Sequence, residues 1–287
     1  MARTLRDGRR RSLGTVDPRK FLGLEPTHNP NRWYLPVVPG LCTGGGFLFG
    51  GAGLAAAIEA LEGTTGRPLV WATAQYLSYA RPPSVMDIDV IVPVSGKSVT
   101  QARAVAHVAE TEILTVNAAL GSRSLDAAGT WVEPPQVPRP EECPPRPHRH
   151  WDVEDSIMRR LDERLASARD FEHLDGVATT HGRASLWARI PQLLEPSAST
   201  LAVLGDFVPF GIGQALGLRA GGNSLDNTLR IARPVQTEWV LLDVRIAAVA
   251  NGFGHGQVHL WSEDGTLMAT ASQSTIVRFW RDHDRPG

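Results

Sequence analysis

From Leu69 to Gly121 apolar and polar residues alternate or run apolar in short blocks, as half-buried antiparallel strands do. The pattern predicts strands over Trp71 to Tyr79, Val85 to Val94, Ser98 to Val108 and Glu112 to Leu120, with a turn near Ser95-Gly96-Lys97. Ahead of them, the alanines, leucines and Ile58 of Ala52 to Leu61 suit a helix buried on most of its surface, ended by Gly63 and Gly66. The second half repeats that order. Asp152 to Ala168 is charged and reads as helical or partly irregular, Ala184 to Ile190 as a strand, and Ser199 to Leu216 as a mostly apolar helix that Pro209 kinks or restarts. Four strand-like stretches follow, Ser224 to Ile231, Trp239 to Ala247, Gly256 to Trp261 and Leu267 to Phe279, with Glu263-Asp264-Gly265 as a hairpin turn signal.

Two motifs mark the recurrence. Ala80-Arg81-Pro82 leads into strands ending at Thr115 to Gly121, and Ala232-Arg233-Pro234 leads into Leu267 to Gln273, both at an offset of 152 residues. An offset that long points to duplication of a whole domain, since solenoid and propeller repeats recur every 20–50 residues. Each half is one apolar helix followed by antiparallel strands, an order that fits an α+β fold in which a sheet curls around a central helix, the hotdog arrangement. Two such units side by side would bury their exposed faces together. Between them Glu133 to Pro147 is dense in proline and reads as an extended linker. The expected divisions are a basic mobile tail at 1–17, an N-terminal hotdog at 18–125, the linker at 126–150 and a C-terminal hotdog at 151–287. At the 152-residue offset Gly121 stands where the second half has Gln273, so one half is expected to have kept an active site that the other lost.

Composition narrows the partners. The 287 residues are 42% apolar and 21% charged, ordinary values for a globular chain. A net charge of -1 argues against a general nucleic-acid or anionic-membrane binder, and the local cluster Arg3, Arg6, Arg9, Arg10 and Arg11 has no apolar segment behind it to make a signal peptide. No apolar run approaches the roughly 18 residues of a membrane span. Cys42 and Cys143 form no recognisable framework, so a reducing cytoplasm is the default expectation.

With those motifs in view the chain resembles the type II acyl-CoA thioesterases. The resemblance rests on Leu204-Gly205-Asp206-Phe207-Val208-Pro209-Phe210, on Ser224-Leu225-Asp226 with Arg233-Pro234 and Glu238-Trp239, and on Asp264-Gly265 followed by Ala271-Ser272-Gln273. Phe49-Gly50-Gly51 and Ala80-Arg81-Pro82 extend it into the first half, so that it covers most of residues 20–280. It implies a double hotdog of two antiparallel sheets joined edge to edge, hydrolysis of acyl-CoA to free acid and CoA, no metal or organic cofactor, and a homodimer or homotetramer. Position by position, the family's catalytic aspartate falls on Asp206, its hydroxyl residue on Ser224 and its glutamine on Gln273. Two departures stand out: Ser224 replaces the more usual threonine, and Asn227 to Arg230 replace a histidine and aromatics, which bears on acyl specificity.

The residue types suit the chemistry. Thioester hydrolysis needs a water near the carbonyl carbon, a group to take its proton, and donors for the oxygen that becomes negative. An aspartate on an apolar helix calls for hydrogen-bond partners, and Gln273 and Ser224 could supply them. A serine nucleophile would need an imidazole or equivalent base, and no G-x-S-x-G elbow is present. The bland readings are a capping or core role for Asp206, strand roles for Ser224 and Gln273, and a loop-fixing contact or an ion pair with Arg233 for Asp226. His148 with His150, His255 with His259, and His28-Asn29-Pro30-Asn31 form no convincing ligand or hydratase set. Gly44 to Gly51 lacks the lysine of a phosphate loop and reads as a close approach of loop to helix and sheet. A catalytically silent acyl-CoA or lipid-binding hotdog protein and an enoyl-CoA hydratase or dehydratase are the alternatives.

Overall fold

Alternation in the sequence translates into thirteen antiparallel strands and four helices in a computed structural model, which describes residues 17–148, 153–193 and 195–280. Residues 1–16 of the basic tail, His150 and the start of the 152–168 stretch lie outside the described residues. The first half runs α1 (Pro18–Leu22), β1 (Glu25–Pro26), β2 (Arg32–Val37), α2 (Gly50–Thr65), β3 (Leu69–Tyr76), β4 (Ser84–Ser95), β5 (Val99–Val108) and β6 (Thr111–Gly121). The second half runs β7 (Asp162–Ser167), β8 (Arg183–Arg189), α3 (Ala198–Leu204), α4 (Val208–Leu216), β9 (Ala220–Ser224), β10 (Asp226–Ile231), β11 (Val240–Ala250), β12 (Phe253–Ser262) and β13 (Leu267–Phe279).

The strand order states the duplication geometrically. Spatially the first half reads β2-β4-β5-β6-β3, and the second, taken from its own outer edge, reads β8-β11-β12-β13-β10. The two sets meet at β3 and β10, which pair along their length, so the strands form one continuous sheet rather than two. At the middle of that seam Thr73 and Thr228 stand opposite one another, their hydroxyls 2.6 Å apart, at a separation of 155 residues. That pair sets the structural correspondence of the halves. Thr73 pairs onward with Asn117 and Thr228 with Ser272, so the counterpart of Gln273 is Ala118, and the 152-residue motif offset does not describe the sheet. The difference arises because Ala232 follows β10 directly, whereas Leu77, Ser78 and Tyr79 intervene between β3 and Ala80.

Helices fill the concave side. In α2 every residue from Gly51 to Leu61 is buried, and Gly66 in the left-handed region closes its C-terminus by donating to Glu62. Leu54, Ile58 and Leu61 are wholly enclosed, each worth about 1.5–3 kcal/mol of transfer free energy. One apolar core joins α2, α3 and α4 to both sets of strands. By length and composition Ala198–Leu216 could cross a membrane, but 78% of its most apolar window is buried inside the fold and it is two core helices, not one.

Two expectations change. The charged stretch at 152–168 contains a short turn at Ile157–Arg160 and then edge strand β7, not a longer helix; Asp162, Glu163 and Arg164 are side chains that suit a short sheet edge. The proline-rich segment, expected as an extended linker, lies against the second half near Pro138 and Cys143. Trp187 Nε1 donates to the Pro138 carbonyl at 2.9 Å, and Cys143 joins Trp187, Trp239, Leu241 and Trp261 in a separate apolar cluster.

Candidate active site

Proline is tolerated only in the first turn of a helix, so the apolar run from Ala198 cannot pass Pro209 unbroken. It stops at Leu204 and resumes at Val208, with Pro209 in the first turn of α4. The break leaves Asp206 inside the core with only 7% of its surface exposed. A carboxylate so placed must be hydrogen-bonded, and it is, on both oxygens. Oδ2 accepts the Gly51 N–H at 2.6 Å; Oδ1 accepts the Ser224 hydroxyl at 3.3 Å and the Gln273 side-chain amide.

The three residues predicted from sequence therefore converge. Val208 N–H donates to Gln273 Oε1 at 3.0 Å, which fixes the amide so that its NH₂ faces Asp206 and also reaches Ser224 Oγ at 3.0 Å. Ser224 ends β9, which pairs with β13, the strand that carries Gln273. Asp226 accepts Ser274 N–H at 2.8 Å, pinning β13 beside the site; that is its partner, rather than Arg233. Burial pushes the Asp206 carboxyl above the ordinary aspartate range, while the Gln273 amide, the Gly51 N–H and the Ser224 hydroxyl pull it back.

Sequence reasoning missed what the first half contributes. Gly51 stands in the first turn of α2, where the helix dipole favours a negative group. Its smallness is required as well: a Cβ there would come within 2.8 Å of the Phe49 ring and 3.0 Å of Asp206 Cβ. At Gly50 a Cβ would meet Asp206 Oδ2 at 2.8 Å and the Tyr76 hydroxyl at 3.1 Å. The close approach expected of the glycine-rich stretch is thus made to Asp206. Paired glycines opening an alanine-rich helix were the available signal. Tyr76 and Asn227 had none, yet the Tyr76 hydroxyl lies buried near Asp206, and both polar atoms of the Asn227 side chain are buried beside Tyr76. The candidate histidines stay apart: His255 contacts Ser274 Oγ, and His259 faces Asp243 across β11 and β12.

Comparison with known proteins bears on this geometry. A family profile described as the acyl-CoA thioesterase C-terminal domain matches residues 140–277, which contain Asp206, Ser224 and Gln273. A crystal structure assigned as a thioesterase, from Novosphingobium aromaticivorans, is 35% identical, with 88% of this chain and 97% of that one covered at a TM-score of 0.79. The acyl-CoA thioesterase II of Mycobacterium marinum superposes at a TM-score of 0.72 over 93% of this chain and all, 100%, of that one, at 17% identity. The chain belongs to the thioesterase family of that Novosphingobium relative, with the acyl-CoA thioesterase C-terminal domain in its second half. A protein of Alicyclobacillus acidocaldarius described as having a hot dog fold matches at a TM-score of 0.79 and 18% identity, over 93% of this chain and 99% of that one. The fold is accordingly of the hotdog type, and this member of the family is a thioesterase. No curated protein matches the chain in sequence. Gly51 and Tyr76 lie outside the matched family segment, in the half that the profile does not reach.

Proposed function

We propose that this double hotdog hydrolyses acyl-CoA thioesters through one water held by Asp206, Ser224 and Gln273. The observation that carries the reading is a buried carboxylate bonded by one hydroxyl and one amide, both of which also bond each other. Such a set can exchange one contact for a water without losing its frame. Water oxygen adds to the carbonyl carbon as Asp206 takes the proton; the tetrahedral species then breaks its carbon–sulfur bond, and the proton returns to the CoA sulfur. A carboxyl raised by burial is a stronger base once ionised than an exposed aspartate, which suits this task. Ser224 serves the water rather than attacking, because it donates to a carboxylate and, among the described residues, no imidazole is bonded to it.

The test is thiol release from purified protein with acyl-CoAs of graded chain length, alongside direct binding of the same compounds. Turnover that is lost in Asp206→Asn with binding retained supports the reading. A wild-type protein that binds acyl-CoA and releases no thiol above background with any chain length refutes it in favour of a silent binder.

A further inference from the structure

The donors around Asp206 are already committed. Gly51 N–H serves Oδ2, Ser224 serves Oδ1, and the Gln273 amide is shared between Asp206 and Ser224. A thioester attacked beside Asp206 still needs donors for its own oxygen, which gains charge as water adds. Among the described residues, the buried side-chain donors without a hydrogen bond include the Tyr76 hydroxyl, which lies beside Asp206, the Asn227 amide, which lies beside Tyr76, and Thr275 Oγ1 on β13.

Their placement follows from the seam between the halves. Tyr76 closes β3 and its N–H bonds the Leu225 carbonyl at 2.9 Å, while Asn227 pairs with Ala74 two residues earlier, so both side chains share the core face beside the first turn of α2. Asn227 is 1% exposed. Tyr76 Oη and Asp206 Oδ2 flank one point, the place a Gly50 Cβ would occupy, at 3.1 and 2.8 Å. Burial and then the Asp206 charge hold the phenol in its protonated form, against the contact of its oxygen with the Asn227 amide, which favours the anion. Three buried polar atoms left unbonded together destabilise a fold, and a phenylalanine and a leucine would fill the same space without that cost. A ligand that accepts from them accounts for their presence.

We infer that Tyr76 and Asn227 bind the carbonyl oxygen of the thioester, Tyr76 donating its hydroxyl hydrogen and Asn227 an amide hydrogen as that oxygen becomes anionic. This rests on the hydrolytic reading above. It makes the first half a supplier of a catalytic residue and Asn227, across the seam, its partner.

The experiment uses the full chain with two changes, Tyr76→Phe and Asn227→Leu, which remove the donors and keep the volume. With a preferred acyl-CoA, Tyr76→Phe lowers kcat about 10²-fold with KM little changed, and Asn227→Leu lowers it about tenfold. Both variants hold or raise the melting temperature, because a buried unbonded group is gone. A second readout needs no turnover. A CoA ketone with a methylene between sulfur and carbonyl keeps the acceptor oxygen, and an alkyl-CoA thioether lacks it; Tyr76→Phe weakens the first about tenfold and leaves the second unchanged. If both variants keep wild-type kcat, or lose equal affinity for ketone and thioether, the inference is overturned. A wild-type protein that binds both compounds and hydrolyses nothing sinks the hydrolytic reading instead, while the ketone and thioether pair still decides the carbonyl contact.

Discussion

Replacing Asp206 by asparagine isolates the charge from the shape, and the structure fixes what else must change. All three groups on the carboxylate are donors: Gly51 N–H on Oδ2, Ser224 and Gln273 on Oδ1. An asparagine offers one acceptor oxygen. Turned toward Ser224 and Gln273, it sets its own NH₂ against the Gly51 N–H and leaves that donor unsatisfied, a cost of about 1–3 kcal/mol. Relief from burying a charge offsets part of this. The variant is therefore expected to fold, with stability within about 2 kcal/mol of wild type by urea titration. Turnover, in contrast, should fall about 10²–10⁴-fold, or about 3–5 kcal/mol of transition-state stabilisation. The pH dependence supplies a second check. Burial raises the Asp206 carboxyl in the folded state, so wild-type kcat/KM falls on acidification at a higher pH than an exposed aspartate would give. The same shift contributes stability that is full below the unfolded aspartate pKa and is lost as pH rises through the raised folded value. Asp206→Asn should lack both features. A native-like variant that loses less than about tenfold in rate, or that keeps the acid limb, would refute the assignment of Asp206 as base.

Three further outcomes follow from the same contacts. Gln273→Glu sets a second carboxylate against Asp206, so the acid limb of the rate profile should move toward higher pH; an unmoved limb would show that the side chains do not meet. Gly51→Ala drives a methyl to 2.8 Å from Phe49 and 3.0 Å from the Ala202 carbonyl, and should cost about 1–3 kcal/mol in denaturant titration along with most of the turnover. A single turnover in ¹⁸O-labelled water should put the label in the released acid, whereas label found in Asp206 by peptide mass analysis would mean that the carboxylate itself attacks.

What the sequence disclosed depended on how far each signal reaches. Strands β3 to β6 and β10 to β13 were legible because one face is buried and the other is not, which writes an alternation into every few residues. The helix break at Pro209 and the cap at Gly66 were equally local. Strand β2 was passed over because Pro36 interrupts its run, and β7 because its charges imitate a solvated helix. The convergence of Asp206, Ser224 and Gln273 was reached through likeness to a family, and the geometry brings the three together. Gly51 was out of reach for a different reason. Its contribution is a backbone N–H, which every residue but proline carries, acting across 155 residues. Tyr76 and Asn227 are ordinary strand residues until the seam sets them side by side, next to the helix turn that opens the Asp206 pocket.

The seam also explains why a duplicated chain holds one such carboxylate at this place. Thr73 meets Thr228 in the sheet and Gly51 meets Asp206 at the start of α2, both at a separation of 155 residues, so both contacts join one half to the other. An aspartate at 51, the same 155 residues earlier, would stand against Asp206 itself, and two carboxylates about 4 Å apart repel by about 4 kcal/mol at an effective dielectric near 20. The halves must differ here: one offers a donor and the other the acceptor. The argument is testable with Gly51→Asp against Gly51→Asn, which share size and strain and differ in charge. At neutral pH the aspartate variant should be the less stable by about 1–4 kcal/mol. Repulsion raises the folded pKa of the pair, so that its penalty is absent below the unfolded aspartate value and grows as pH rises through the folded one; the two variants should converge in acid and part as pH increases. Denaturation curves that run parallel for both variants from acid to neutral pH would mean that the side chain at 51 does not face Asp206, and the account of the single site would fall with it.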